Sequence, residues 1–528
     1  MTIRNVPTTE LNIMTQPYSI CLIPLDERPV NTRYPQMLAA IADIDLRLPP
    51  IEIQGLGRTP APLDRVLPWL KEQSVECQGA IVSCEFLAYG NLINARISND
   101  SAAKALNRLS LLSKINGTCP VHAFSLITRV ANANNNVEEP LYWLEWGTRF
   151  YGYARLAHRS QLGQLDQSET DELAALDTKI PADLKADWLT RRLRNHAVTL
   201  GLMDMAARGE LQSLLITSDD TSPFGFPSRE RDWLKSWPAL IGPTLSSRVS
   251  MYPGADEVGS ALVAKLVNAR DNRTPKVWIE YSHSADTDLI APYEDRPIRE
   301  TVIGQIHGCG CVAAEAPEEC DFVLAVSTVS PRRTDWRPEF REGDAESRSE
   351  AYLAFLRTMA AHQQAGRPVA CADVAYPNGA DPLLADLMRG DGHGVVLGEL
   401  AAYGAWNTAG NTLGVVVAQA VCALATKQDQ SALAKEVFLT HRFLEDYGYQ
   451  TVVRREARDL CETRWGRRDP DPESDSEVHT VCQDIEAGLR RILTQLQGVG
   501  IGKHVSLKQG SVKLPWRRTF EVDFELIT

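Results

Sequence analysis

The stretch ICLIPLDERPVN, residues 20–31, decides the fold, because a short apolar run is followed at once by charged residues. This pattern is typical of a parallel strand that is buried on both faces and ends at a polar edge of its sheet. The pattern returns in GAIVSC, residues 79–84, and in VHAFSLI, residues 121–127, with helical stretches between the strands. Strands that alternate with helices predict a parallel sheet with helices on both faces.

The alternation is interrupted once and later starts afresh. Residues 136–210 are first aromatic and then strongly helical, which predicts a helical insertion. A second set of strands begins at KVWIEYS, near residue 275, and the alternating stretches VSLKQGSVKLP and FEVDFELI predict a final antiparallel hairpin. We therefore predict an α/β fold with two doubly wound, Rossmann-like parallel-sheet domains, and a (β/α) barrel with appendages is the alternative. The predicted units are a flexible tail at 1–17, an α/β domain at 18–274, a second α/β domain at 275–427 and a small α+β region at 428–528.

Composition and charge narrow the choice of partners. The 528 residues are 44% hydrophobic and 23% charged, an ordinary balance for a globular protein, and the formal net charge is −13. Negative charge repels phosphate backbones and anionic lipids, so we expect neither nucleic acid nor a membrane as partner. The longest apolar run, NTLGVVVAQAVCALA, is shorter than the roughly 20 residues that cross a bilayer, and the first residues lack a secretory signal. We expect a cytoplasmic protein that binds a small-molecule substrate, and a homo-oligomer is compatible with the sequence.

The eleven cysteines are scattered, and their odd number suits reduced thiols in a cytosolic core. Cys309, Cys311 and Cys320, with His307 nearby, suggest a metal site at first sight. Structural zinc sites usually show two spaced pairs of ligands, and this cluster does not. We therefore expect no metal and no other cofactor.

Carboxylates gather directly after the predicted strands, at the edge where α/β folds hold their catalytic groups. Asp219 and Asp220 end the strand of SLLITSDD, and two neighbouring carboxylates raise the pKa of one of them, which suits acid/base catalysis. Structural alternatives stay open for these carboxylates. Those after the first strand could form an ion pair with Arg28, and those after the fifth strand could cap a turn. The other candidate catalytic residues are Asp26, Glu27 and Glu85.

Arginines, amides and aromatic residues near the same edge are the candidates for substrate binding. In GELAAYGAWNTAGNTLG, the Trp406 indole is suited to stack on a sugar ring and the amides to bind its hydroxyl groups, although a plain loop is the alternative. In YPGADEVG, we expect Asp256 to cap the next helix, while the role of Glu257 is open. The candidate binding residues are Arg28, Asn31, Arg58, Tyr89, Arg96, Arg129, Tyr252, Glu257, Asp373, Asn378, Tyr403, Trp406, Asn407 and Asn411.

Three segments together resemble a known family. IPLDERPVNTRYPQ, GLGRTPAPLDRVLPWL and IVSCEFLAYGNLINARIS are similar to the bacterial domain-of-unknown-function family 4127, and the resemblance spans most of residues 20–425. The chain departs from the family pattern at Asn91, where a glycine is usual, and at Ala95, where a serine is usual. The resemblance implies that these segments form one shared site. It does not imply a reaction.

The residues favour a hydrolase that acts on a small polar, carbohydrate-derived substrate by carboxylate acid/base catalysis, for example a glycosidase. The chain is rich in carboxylates and aromatic residues, and it lacks nucleotide-binding motifs, a GxSxG motif and an HExxH motif. One alternative is a metal-dependent lyase, isomerase or hydrolase with Asp219, Asp220, Asp373 and His283 as ligands. The other is a non-enzymatic intracellular ligand-binding protein, which two α/β domains with a cleft also suit.

Overall fold

The first half of the protein is built on a parallel sheet of six strands. A computed structural model describes residues 18–426, 429–467 and 472–528, so the tail predicted at 1–17 lies outside the described residues. The sheet has the order β2-β1-β3-β4-β5-β6, and every neighbouring pair is parallel. The apolar runs form its strands because both faces are covered, and Ile20 and Leu22 are fully buried. The strands are β1 Tyr18–Ile23, β2 Ile44–Arg47, β3 Gly79–Ser83, β4 Val121–Ile127, β5 Ser213–Ser218 and β6 Val249–Pro253.

Helices cover both faces of this sheet and form an insertion between β4 and β5. The three inserted helices lie within residues 136–210, the stretch that the sequence predicts as a helical insertion. Their aromatic residues form a small core of their own, in which Trp143 stacks on Phe150 with 5.0 Å between ring centroids. The helices are α1 Arg33–Ile41, α2 Leu63–Glu76, α3 Cys84–Tyr89, α4 Leu92–Ile97, α5 Ala102–Leu109, α6 Leu111–Asn116, α7 Trp143–Gln161, α8 Gln167–Lys179, α9 Ala182–Ala207, α10 Phe226–Ile241, α11 Pro243–Ser246 and α12 Val258–Arg270.

The second half is built on a parallel sheet of five strands in the order β11-β10-β9-β7-β8. The fold is thus the predicted α/β fold with two parallel-sheet domains, while the predicted boundaries stay predictions. One predicted strand, GVVLGEL at 394–400, is wrong: Leu397–Glu399 is a 3-10 turn, and the strand follows it. Val396 is 49% exposed, whereas the strand is fully buried, so burial selects the later run. The strands are β7 Lys276–Tyr281, β8 Val312–Ala313, β9 Phe322–Ser327, β10 Val369–Asp373 and β11 Ala402–Gly404.

The buried helix predicted from the longest apolar run joins the two halves. It packs against α12 of the first half and against the first helix of the second half, and all three share one apolar core with both sheets. None of the helices in the three described ranges is long and apolar enough to cross a membrane. The helices of the second half are α13 Ile298–Gly308, α14 Arg341–Gln364, α15 Pro382–Arg389 and α16 Ala409–Leu424.

The last hundred residues wrap around the second sheet and return to the first. The predicted antiparallel pairing is present but short, because only two residues of each strand are paired. Between these strands, the segment around Trp516 and Phe520 reaches back to the carboxyl ends of the strands of both sheets. The elements are α17 Asp429–Arg442, a π-helix at Phe443–Val453, α18 Arg454–Trp465, α19 Asp475–Gly498, β12 Ser506–Leu507 and β13 Leu526–Ile527.

Candidate functional site

A polar cavity of about 240 Å³ lies where the carboxyl ends of the strands of both sheets meet. The loops after β1, β5 and β6 supply part of its lining, and the loops after β10 and β11 supply another part. The remaining lining residues come from α4, from the segment before α7, from the segment before α13 and from the segment before β13. The cavity therefore collects side chains from both sheets, as expected for a ligand site in this kind of fold.

Eight of the residues predicted from the sequence line this cavity. They are Arg28, Arg96, Arg129, Asp219, Asp220, Asn378, Asn407 and Asn411. Two more touch lining residues: Asp26 binds the guanidinium of Arg28, and the amide of Asn31 donates to Asp256 Oδ1 at 3.3 Å. The residues that do not line it are Glu27, Arg58, Glu85, Tyr89, Tyr252, Glu257, Asp373, Tyr403 and Trp406.

One side of the cavity is a run of alternating charges. Arg96 pairs with Asp219, and Arg129 Nη1 lies 2.9 Å from Asp220 Oδ2. Glu138 joins the two pairs, because its Oε2 accepts from Arg96 Nη1 at 3.0 Å and from Arg129 Nη2 at 3.2 Å. The two predicted catalytic aspartates are thus each held by an arginine, which fixes the orientation of their carboxylates.

The run of alternating charges continues to the opposite side of the cavity through residues of the segment before β13. Arg518 donates to Glu138 Oε1 at 2.5 Å and to Glu521 Oε1 at 2.7 Å. Glu521 Oε1 in turn accepts from Arg28 Nη1 at 3.4 Å. We call this connected set the arginine–carboxylate network; it consists of Asp26, Arg28, Arg96, Arg129, Glu138, Asp219, Asp220, Asp256, Arg518 and Glu521.

Asp256 is part of this network and does not cap a helix, so the prediction for this residue is wrong. Its Oδ1 accepts from Arg28 Nη2 at 2.5 Å and its Oδ2 from Asn407 Nδ2 at 3.1 Å, while α12 begins without a side-chain cap. The amide oxygen of Asn411 instead accepts from the backbone N–H of Asp256 at 3.1 Å. The pull of the buried Arg28 guanidinium explains why the carboxylate turns toward the cavity.

Two asparagines reach the cavity from left-handed backbone positions. Asn378 has φ 62° and Asn407 has φ 67°, a conformation that asparagine tolerates better than most residues. The backbone N–H of Asn378 donates to the carbonyl oxygen of Asn407 at 3.0 Å, which ties the loops after β10 and β11 together. The strain is held in place by this bond, and both amides stay at the cavity wall.

Burial changes the protonation of the cavity carboxyl groups. Burial raises the pKa of Asp256 to about 6, against the opposing effect of Arg28. Burial also raises the pKa of Glu294, which accepts from Gly410 N at 2.5 Å and from Thr301 Oγ1 at 2.6 Å, to about 7. The pKa of Asp220 is raised by burial and by the charge of Asp219, although Arg129 opposes the rise. The cavity therefore presents carboxyl groups that exchange protons near neutral pH.

Three predicted carboxylates bind donors of the protein itself outside the cavity. Glu27 accepts from Gly57 N and from Trp516 Nε1, both at 2.6 Å. Glu257 accepts from Gln305 Nε2 at 2.9 Å behind the cavity wall, and burial raises its pKa to about 7. Asp373 accepts from the backbone N–H of Asp381 at 2.7 Å and shapes the turn after β10. These contacts assign them to loop packing around the site.

Glu85 also lies outside the cavity, and it is buried. Its Oε1 accepts from Ser125 Oγ at 2.8 Å and from Leu126 N at 2.9 Å, and burial raises its pKa from 4.5 to about 7. A carboxyl group whose pKa is raised on folding contributes stability below its unfolded pKa, and this contribution is lost as the pH rises through the folded pKa.

The variant Glu85→Gln should therefore become more stable relative to the wild type as the pH rises. Between about pH 4.5 and about pH 8, we expect its relative free energy of unfolding to increase by about 3 kcal/mol. Urea unfolding at the two pH values measures this difference, with the exposed Glu52→Gln as control. Parallel curves for wild type and Glu85→Gln would contradict the assignment.

The predicted aromatic residues and Arg58 also contact protein groups outside the cavity. Trp406 is 4% exposed and lies 6.0 Å from Phe520 between ring centroids, and Tyr403 stacks on Phe443 at 3.8 Å. Tyr252 is buried against α13, and Arg194 lies over the ring of Tyr89 at 4.5 Å. Arg58 donates to the carbonyl oxygens of residues 136 and 139 and holds the segment before α7. The aromatic residues that do line the cavity are Tyr293 and Phe520.

The structure does not bring the predicted metal ligands together. Asp219 contacts Arg96, whereas Asp373 lies among backbone donors and His283 packs against the ring of Tyr352. Within residues 18–426, 429–467 and 472–528, no group of three or more histidine, cysteine, aspartate or glutamate side chains is arranged to hold a metal ion.

Several lining residues were missed at the level of sequence. Glu138, Tyr293, Glu294, Arg518 and Phe520 all face the cavity. Glu138 lies far along the loop after β4, and the other four lie in segments that other elements separate from the strands of the parallel sheets, so the strand-end rule does not select them. The signal that was available is charge: EEP at 138–140, YED at 293–295 and RRTFE at 517–521 place charged residues beside apolar ones in otherwise irregular segments.

Fold and site define a two-sheet α/β protein with a charged, polar cavity at the carboxyl ends of its strands. A family model described as "Protein of unknown function (DUF4127)" matches residues 20–525. The chain belongs to this family, and the resemblance seen in its first three segments is confirmed. No curated protein and no solved structure matches the chain.

Proposed function

We propose that the protein is a hydrolase that cleaves a small, sugar-derived substrate by carboxylate acid/base catalysis. The observation that carries this proposal is the pair of carboxyl groups, Asp256 and Glu294, which line one cavity and have pKa values of about 6 and about 7. Near neutral pH, most Asp256 is ionised, while a large fraction of Glu294 keeps its proton. Such a pair can supply one base and one acid in the same cavity.

In the proposed reaction, the Asp256 carboxylate takes a proton from a water molecule as the water oxygen attacks the substrate carbon. The bond from this carbon to the leaving-group oxygen breaks, and Glu294 donates its proton to that oxygen. Arg28 and Asn407 hold the Asp256 carboxylate in a fixed orientation. The products are a hydroxyl-bearing fragment and an alcohol, and the two carboxyl groups exchange protons with solvent to complete the cycle.

The cavity wall favours a polyhydroxylated substrate. Arginine and amide donors alternate with carboxylate acceptors along the arginine–carboxylate network, and sugar hydroxyl groups both donate and accept. Asp219 and Asp220, each paired with an arginine, are suited to bind hydroxyl groups at fixed positions. A volume of about 240 Å³ lies below the roughly 300–1,000 Å³ of drug-sized ligand pockets, so the substrate is of monosaccharide size.

The proposal is tested with water labelled with oxygen-18. Hydrolysis transfers one oxygen atom from water to the product, so a product heavier by one label identifies hydrolysis whatever the substrate. We expect labelled products by mass spectrometry when the purified protein is incubated with a panel of small glycosides and sugar esters. Label incorporation at the rate of a protein-free control, for every member of the panel, would contradict the proposal.

Two further measurements, made beside the labelling experiment, separate the remaining alternatives. Sugar binding by calorimetry without label incorporation would favour an intracellular binding protein. Activity that disappears with a chelator and returns with a divalent cation would favour the metal-dependent reaction. Neither result is expected from the contacts of Asp256 and Glu294.

A further inference from the structure

Two arginine N–H groups at the cavity have no acceptor among the described residues. Arg96 Nε and Arg518 Nε are both buried, and both residues line the cavity. Their other nitrogens bind Asp219, Glu138 and Glu521, which hold the guanidinium planes in place. A buried donor without an acceptor costs about 1–3 kcal/mol, so each of these two side chains gains stability if it turns its Nε–H toward a ligand oxygen in the cavity.

A groove of about 340 Å³ continues from this part of the cavity. It shares Arg129, Glu138, Arg518 and Phe520 with the cavity, and α18 supplies two further arginines to its wall, Arg454 and Arg458. The guanidinium carbons of Arg454 and Arg518 lie 5.1 and 5.3 Å from the centre of the Phe520 ring. Four arginines thus line this groove against two carboxylates, Glu138 and Glu139, although the whole chain has a formal net charge of −13.

Building on the proposed function, we infer that the substrate carries an anionic group, a carboxylate or a phosphate, that binds to Arg96 and Arg518. Planar guanidinium groups with fixed N–H directions bind the oxygens of both anions well. The partly protonated Glu294 lessens the negative charge of the cavity near neutral pH and so favours the same outcome. The substrate class is therefore an acidic sugar derivative, with hydroxyl groups at the carboxylates and the anion at the arginines.

Calorimetric titration with three sugars of one size tests the inference. The probes are D-glucose, D-glucuronate and D-glucose 6-phosphate, at low salt and at ~0.5 M salt. We expect at least one anionic sugar to bind about tenfold or more tightly than glucose, and the preference to shrink at high salt. A preference for glucuronate identifies a carboxylate, and a preference for the phosphate ester identifies a phosphate. Equal affinity for all three sugars, or no binding of either anion, would overturn the inference.

Matched variants locate the anion. Arg518→Lys and Arg96→Lys keep a positive charge but remove the Nε–H donor, so each should reduce the anion preference by about tenfold. Arg357→Gln, on an exposed part of α14, should leave it unchanged. Circular dichroism checks that each variant is folded, and Arg518→Lys decides the matter if the more buried Arg96→Lys does not fold. An unchanged preference in folded Arg518→Lys would contradict the assignment.

The two proposals fail in different ways. Labelled products from neutral glycosides, together with equal binding of the three sugars, would leave the hydrolase in place and remove the anionic substrate. Tight binding of an anionic sugar without label incorporation would leave the anion site in place and remove the hydrolase.

Discussion

Replacing Asp256 by asparagine is expected to lower the turnover number by about 10²–10⁴-fold, the range that one general acid or base contributes. The asparagine side chain keeps the size of Asp256 and one acceptor oxygen, which can still accept from Arg28, but it cannot take a proton from water. Initial rates on the substrate found with labelled water measure the effect. Asp391→Asn, an exposed change that does not line the cavity, is the matched control. Turnover of Asp256→Asn within a factor of two of the wild type would exclude Asp256 as the base.

The pH profile distinguishes a proton transfer from a loss of structure. Because Asp256 must be ionised and Glu294 protonated, the wild-type rate should rise through about pH 6 and fall above about pH 7. Asp256→Asn should lose the acidic limb and keep the alkaline one, whereas Glu294→Gln should lose the alkaline limb. A variant that keeps both limbs at reduced amplitude would indicate a positioning role for the replaced residue.

Replacing Arg28 by methionine is expected to lower the free energy of unfolding by about 3–5 kcal/mol. The guanidinium is 6% exposed and lies among Asp26, Asp256 and Glu521, at 2.8, 2.5 and 3.4 Å. Without it, three buried carboxyl groups lose their shared counter-charge and must bind protons or repel one another. Urea unfolding followed by tryptophan fluorescence measures the loss.

The control for this experiment is an arginine with similar partners at the surface. Arg47 pairs with Asp45 at 2.8 Å and with Glu76 at 2.6 Å, but its side chain is 29% exposed. Arg47→Met should cost less than about 1 kcal/mol, because solvent screens exposed pairs. The deficit of Arg28→Met should shrink toward about pH 5, where the stranded carboxyl groups are protonated. A deficit that is small, or independent of pH, would show that the carboxylates relax without Arg28.

The strands of this fold are readable from sequence because each must bury both of its faces. ICLIPL and VHAFSLI are apolar without alternation, and the structure places both in the middle of the first sheet. The strand in AAYG was harder to place, because the neighbouring run GVVLGEL is equally apolar. What separates the two runs is the packing of α16 and the π-helix against the second of them, which is a tertiary effect.

Only some of the residues that line the cavity are predictable from the sequence, because their positions also depend on tertiary structure. The strand-end rule identifies the edge of a sheet but not the direction of a side chain, so it selected Asn407 and also Trp406, which points into the apolar core. The rule also misses residues far along a loop, such as Glu138, and segments that follow no strand of the parallel sheets, such as the one that carries Arg518. The prediction for Asp256 is wrong because an acidic residue near a helix start is favourable there, and the sequence alone does not reveal a partner arginine 228 positions away.

The large sequence separation between Glu521 and its partner Arg28 sets the order in which the site can form during synthesis. Glu521 follows Arg28 by 493 positions in the chain, yet the two are partners in the finished protein. At roughly 5–20 residues per second, a ribosome takes about 25–100 s to travel between them. During that time the first sheet can fold and Arg28 can pair with Asp26 and Asp256, but the segment with Arg518 and Glu521 is still missing. The nascent chain therefore carries an incomplete cavity, and substrate can stabilise the protein only after translation has passed Glu521.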